Sequence, residues 1–214
     1  MKIAIFDLDG TLLNTIADLA HAANQALKTL GFPQRTEEEC VSFVGNGVTK
    51  LLERSLPDDA KTPGNVARMR EEFFKYYDAH LWDATFAYPG MAELLEALQM
   101  RGVMLAVASN KYQSATERLV KYFFPHVQFL EVLGQRDGVP TKPDPDIVYE
   151  ILLSAGARKE DVLYIGDSDV DMQTAKNAGV RVCAVTWGFR SRELLETFQP
   201  DFITGTPQDI LAMI

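Results

Sequence analysis

From Tyr88 onward the chain alternates between two hydrophobic periods, and that alternation leaves few folds open. Helical spacing over 91–101 stops at Gly102, and an unbroken apolar run over 103–108 leads into Ser109-Asn110-Lys111. A helix over 114–122, a strand over 129–133, a helix over 146–155 and a strand over 161–166 follow. A helix over 172–178 closes at Gly179, and strands over 180–185 and 201–203 complete the series. Apolar runs without polar alternation read as strands covered on both faces, and strands separated by helices pair in parallel. The expected class is α/β, a Rossmann-like, doubly wound and mostly parallel sheet.

The N-terminus supplies one more strand of this kind. Ile3, Ala4, Ile5 and Phe6 run apolar into Asp7-Leu8-Asp9-Gly10-Thr11-Leu12. A strand ending there brings two carboxylates into one small volume, where they repel unless a cation or a proton intervenes. Between this strand and Tyr88 the character changes. Apolar residues recur at helical spacing over 16–30, Thr36-Glu37-Glu38-Glu39 is a capping-box pattern, and further helices are expected over 48–56 and 65–81. The Gly45-Asn46-Gly47 turn and a loop over 57–64 separate them, and no strand is expected in the block. The reading is an α/β core of residues 1–14 and 86–214 carrying a four-helix insert over 15–85.

Charge excludes several partners. A net charge of −9 argues against nucleic acid or an anionic membrane surface, and a phosphate-bearing ligand would need a local positive centre. No apolar run approaches the roughly 18–20 residues of a membrane span, and a cytoplasmic address is expected. Cys40 and Cys183 have no metal-type spacing and read as reduced, partly buried small hydrophobes.

Four polar clusters fall at the C-terminal ends of expected strands, where a doubly wound sheet binds its ligands. They are Asp7/Asp9, Ser109/Asn110, Lys142 and Asp167/Asp171. Carboxylates supply hard oxygen ligands for Mg²⁺, a hydroxyl and backbone N–H groups can hold phosphate oxygens, and a lysine adds a point charge for the same oxygens. Singly, each has a plainer reading: a helix cap at 167–168, a turn at 109–110, a solvated loop lysine at 142. Their joint placement points to one phosphate-handling site.

In the same order, Asp7-Leu8-Asp9-Gly10-Thr11-Leu12, Ser109-Asn110, Lys142-Pro143 and Gly166-Asp167-Ser168-Asp169-Val170-Asp171 resemble the four motifs of the haloacid dehalogenase superfamily. The helical insert matches that superfamily's C1-type cap. The 14–19, 44–47 and 141–145 stretches are most similar to the phosphoglycolate phosphatase group. The resemblance implies a Mg²⁺-dependent phosphomonoester hydrolase working through an aspartyl-phosphate on a small phosphorylated metabolite such as 2-phosphoglycolate. It implies Asp7 as nucleophile, Asp9 as general acid and base, and a metal held by Asp7, the Asp9 carbonyl and Asp167, with Asp171 behind them. It assigns Ser109, Asn110 and Lys142 to the phosphoryl group and Thr11 to the placement of Asp9 or the turn beyond it. Thr11, like Gly45, Asn46 and Gly47, counts among the expected substrate contacts. Cap closure over 14–15 and 83–88 would carry the 45–50 segment over the site. Retention of Asp9 disfavours dehalogenase and phosphonate chemistry. A phosphosugar mutase, a pyrophosphatase or nucleotidase, and a catalytically silent phosphate-binding module are the alternatives. A response-regulator receiver is disfavoured by the insert. The chain is expected to be a monomer or homodimer.

Overall fold

The computed structural model describes residues 2–214, and Met1 lies outside the described residues. Strand β1 (Ile3–Phe6) is fully buried along its length, as its unbroken apolar sequence requires. A tight turn leads to the two-residue β2 (Leu13–Asn14) and then to four helices: α1 (Ile16–Thr29), α2 (Glu37–Phe43), α3 (Val48–Ser55) and α4 (Pro63–Tyr77). The chain returns through β3 (Phe86–Ala87), which forms a two-stranded sheet with β2. Helices and strands then alternate: α5 (Met91–Met100), β4 (Met104–Tyr112), α6 (Gln113–Phe123), β5 (Phe129–Gln135), α7 (Asp146–Ala155), β6 (Val162–Gly166), α8 (Asp169–Ala178), β7 (Arg181–Val185), α9 (Arg192–Glu196) and β8 (Phe202–Thr204). Two compact units result, Met1–Asn14 with Ala87–Ile214, and Thr15–Phe86. No helix among the described residues is long and apolar enough to cross a membrane.

The α/β unit is a six-stranded sheet of order β5-β4-β1-β6-β7-β8, parallel throughout. Successive strands run outward from β1 to β4 and β5, and the chain then crosses to β6 on the other side. The strand order therefore reverses at β1, and the ends of β1, β4 and β6 open on a switch-point crevice. Ile3 and Ile5 point to one face, where they meet Ile147, Val148 and Ile151 of α7 and Met172 and Ala175 of α8. Ala4 and Phe6 alternate to the other.

The helical unit packs α1 against α4, with α2 and α3 beside them. Leu19, Ala23 and Leu27 of α1 and Met69, Phe73 and Tyr77 of α4 are its buried stripes, and Phe73 stacks on Tyr77 with ring centroids 5.0 Å apart. Thr36 forms the capping box in full, accepting from the Glu39 N–H while the Glu39 carboxylate accepts from the Thr36 N–H. One carboxylate is buried, Asp18, which accepts from the N–H groups of Ala84 and Thr85 and the Thr85 hydroxyl.

Several expected boundaries move for identifiable reasons. α4 begins at Pro63 rather than in a loop, because the Thr62 hydroxyl caps it and Pro63 fills its first turn. β4 runs to Tyr112, four residues beyond the expected end, through a register shift between Ala108 and Tyr112. α8 begins at Asp169 rather than 172, since Ser168 and Asp171 form a reciprocal capping box. β2 and β3, at two residues each, carry no pattern that periodicity could detect.

Candidate active site

β1 delivers Asp7 to the switch point, where its N–H continues the ladder to the Ile165 carbonyl at 2.9 Å. The Asp7 carboxylate is paired with Lys142, Nζ to Oδ1 2.9 Å. Lys142 reaches this place from the segment before α7, and its ammonium also donates to Asp171 Oδ1 at 2.7 Å, the Ala108 carbonyl at 2.9 Å and the Tyr164 hydroxyl at 3.1 Å. Asp171, on the first turn of α8, is completely buried; Oδ1 takes Lys142 and Tyr164, and Oδ2 takes the Ser168 N–H and hydroxyl. Asp167, at the end of β6, accepts from the Thr11 hydroxyl at 3.1 Å and the Phe189 N–H at 2.7 Å. Carboxylate oxygens of Asp7, Asp167 and Asp171 all lie within 4.8 Å of one another.

Burial, reinforced by the charge of Asp171, pushes the Asp7 carboxyl well above the usual carboxylate range, with Lys142 acting in the opposite sense. Burial and Asp171 likewise raise Asp167 to about 7, against the hydrogen bonds from Phe189 and Thr11. Burial works against the Lys142 ammonium, but Asp171 and Asp7 outweigh it and hold its pKa well above the ordinary value. Three buried carboxylates around one ammonium therefore leave an excess of negative charge that a proton or a cation must balance.

The donor set fits Mg²⁺. Its ligands are hard oxygens, and carboxylate oxygens that all lie within 4.8 Å of one another are near enough to share one ion. The crevice is also cleared for them. Gly10, at φ 89°, and Gly188 lie against Asp167 so closely that a Cβ at either position would collide with its side chain.

A family model of haloacid dehalogenase-like hydrolases matches residues 4–185. The chain belongs to this family. It is 33% identical to the phosphoglycolate phosphatase of Mannheimia succiniciproducens, across 100% of this chain and 98% of that one. The crystal structure of a predicted phosphoglycolate phosphatase from Haemophilus somnus superposes with a TM-score of 0.92 at 32% identity, covering 100% of this chain and 97% of that one. The crystal structure of CbbY from Rhodobacter sphaeroides, in complex with phosphate, gives 0.79 at 25% identity, covering 98% and 96%. The protein is thus an enzyme, a phosphatase of the haloacid dehalogenase-like hydrolases.

The structure refines the parts expected of such a hydrolase. Asp7, Asp9, Thr11, Ser109, Asn110, Lys142, Asp167 and Asp171 are gathered at the ends of β1, β4 and β6, whereas Gly45, Asn46 and Gly47 form the turn between α2 and α3 of the helical unit. Within that turn Asn46 Oδ1 accepts from Arg54 at 2.9 Å. Thr11 does not orient Asp9 by its side chain; its hydroxyl is spent on Asp167, because the Gly10 turn folds it back towards β6. The Asn110 side-chain amide is joined to the main chain of Lys142, donating to its carbonyl at 3.0 Å and accepting from its N–H at 2.9 Å.

Sequence reasoning assigns no site role to Tyr164, Lys111 or the Trp187–Phe189 turn, the last of which reads as core or interface. Tyr164 sits in an apolar strand and gave no signal. Lys111 follows the Ser-Asn pair directly, and that adjacency is a usable sign. Trp187 reads from its composition as core, yet its indole N–H donates to the Thr11 carbonyl at 3.1 Å, and the following main chain holds Asp167. Its position just past a parallel strand is what marks it.

Proposed function

We propose that this phosphatase hydrolyses 2-phosphoglycolate, or a phosphomonoester of closely similar size and charge, through an aspartyl-phosphate on Asp7. The observation that carries the mechanism is the pairing of a buried Asp7 with Lys142 at the switch point, 2.9 Å apart, with Asp167 and Asp171 alongside. Likeness to phosphoglycolate phosphatases over essentially the full chain supports the substrate.

Mg²⁺, held by Asp7, the Asp9 main-chain carbonyl and Asp167, would supply positive charge for the phosphoryl oxygens. Asp7 attacks phosphorus while Asp9 gives a proton to the departing alcohol oxygen. Asp9 then takes a proton from the water that cleaves the aspartyl-phosphate, returning Asp7 as a carboxylate and releasing phosphate. Lys142 and Ser109 stabilise the equatorial oxygens, and Asp171 holds Lys142 at its station. The helical unit acts as a cap, with the Gly45–Gly47 turn as its substrate-facing element and 14–15 and 83–88 as hinges.

Phosphate release from 2-phosphoglycolate, sugar phosphates, nucleoside monophosphates and pyrophosphate, with Mg²⁺ and with EDTA, tests the reading. The expected result is metal-dependent release led by 2-phosphoglycolate, and none from Asp7→Asn. Turnover by Asp7→Asn at the wild-type rate would defeat the mechanism; a sugar phosphate or nucleotide in first place would replace the substrate.

A further inference from the structure

The strand ends hold a second buried lysine that the phosphate chemistry above does not employ. Lys111 lies near the end of β4, and its ammonium donates to both oxygens of Asp9, at 3.1 and 3.2 Å. Its main chain is fixed on several sides. The Lys111 N–H donates to the Ser109 hydroxyl at 3.2 Å, and its carbonyl accepts from the buried Thr116 hydroxyl at 3.1 Å. Gly134 of β5 comes so close to that carbonyl that any side chain at 134 would collide with it. An ammonium is a costly group to take out of water, and a neutral donor would have sufficed to orient Asp9.

We propose that Lys111 recognises an anionic group on the leaving alcohol, selecting phosphomonoesters of short hydroxy acids over those of neutral alcohols. The inference rests on the hydrolase reading and gives its substrate class a residue. A proton donor must come within about 3 Å of the ester oxygen. Since Lys111 is 3.1 Å from the Asp9 carboxylate, its ammonium stands within roughly 6 Å of that oxygen. In the ester of a two-carbon hydroxy acid, the carboxylate oxygens lie roughly 3 Å from the ester oxygen by covalent geometry alone. Such a carboxylate meets Lys111 while the phosphoryl group remains at Asp7 and Lys142. The ammonium then bridges Asp9 and the substrate, so neither charge is left unpaired. A neutral alcohol offers it no partner.

The test compares 2-phosphoglycolate with 2-hydroxyethyl phosphate, an ester of equal length whose alcohol is uncharged. Wild-type protein should favour the anionic ester in kcat/KM. In Lys111→Met that preference should shrink at least about tenfold, mostly through KM, whatever loss the two esters share from the changed footing of Asp9. Lys111→Arg should keep most of the preference. Binding supplies a readout without turnover: on the Asp7→Asn background, adding Lys111→Met should weaken 2-phosphoglycolate at least about tenfold and inorganic phosphate far less. An unchanged ratio between the esters would overturn the proposal and leave Lys111 as a support for Asp9 alone. If Lys111→Met does not fold, the wild-type ester pair and Lys111→Arg decide, and a wild-type enzyme indifferent to the charge overturns the proposal too. Wild-type protein inert towards every phosphomonoester would instead overturn the hydrolase reading, and the binding comparison would still judge Lys111.

Discussion

The two units treat buried charge in opposite ways. The helical unit buries one carboxylate, Asp18, and surrounds it with three donors from Ala84 and Thr85. Most of its ion pairs, such as Lys50–Glu53 and Lys75–Glu72, lie at the surface, where such pairs contribute little. The α/β unit instead buries Asp7, Asp167, Asp171, Lys111 and Lys142 at the ends of its strands. A carboxylate that is fully hydrogen-bonded strengthens a fold, whereas a buried cluster with more carboxylates than ammoniums strains it and answers to whatever charge enters. One unit is built to be stable, the other to bind.

This contrast can be broken at its strongest point first. Lys142→Met removes the ammonium shared by Asp7 and Asp171, and should cost roughly 3–5 kcal/mol in urea unfolding without added metal. The same change should lower kcat by a factor of about 10² or more. A stable Lys142→Met protein in the absence of metal would refute the claim that the cluster is strained.

Next is pH. Asp167 titrates at about 7 in the native protein against 3.8 for an unperturbed group, so between those values the native state holds a proton that the unfolded chain has lost. Stability without metal should therefore fall as pH rises through that window, by a few kcal/mol at most. Asp167→Asn should make the profile shallower, leaving the share that the raised Asp7 carboxyl contributes. Because Mg²⁺ binds the ionised form, its increment in Tm should be larger at pH 8 than at pH 5. A metal increment independent of pH would remove Asp167 from the ligand set.

In the helical unit the effects are smaller and confined to stability. Asp18→Ala strands the Ala84 and Thr85 donors and should cost about 1–3 kcal/mol in urea unfolding. Thr36→Ala removes half of a capping box and should cost about 1 kcal/mol. The smallest effect spans both units: Cys40 and Cys183 are buried, and burial raises their thiols to about 11 and about 12. Neither should react appreciably with a disulfide reagent at pH 8 until urea unfolds the chain.

Much of this was legible from residue order, for a physical reason. Strands buried on both faces need continuous apolar runs, so β1, β4 and β6 announce themselves, and parallel connection then dictates which ends carry the polar groups. Asp7, Lys142 and Asp167 are readable only together, because each alone has a plainer reading and their shared placement at strand ends does not. What escaped was the traffic between side chains that are distant in sequence. Thr11 and Asp167 are 156 positions apart, and nothing local in either says that they bond. Asn110 and Lys142 are 32 positions apart, and nothing local in either says that the amide of one meets the main chain of the other. The α8 start was misjudged because Asp171 is both a site residue and a helix-capping residue, and its first role hid its second.

The central position of β1 has a cost during synthesis. Ile3 pairs with Met104 on one side and with Val162 on the other. At about 5–20 residues per second, the first of these partners leaves the ribosome roughly 5–20 s after β1, and the second later still. Meanwhile the four helices of residues 15–86 emerge with all their own partners close behind them. β1, buried along its whole length in the finished sheet, thus waits for both of its partners while the helical unit already has its own.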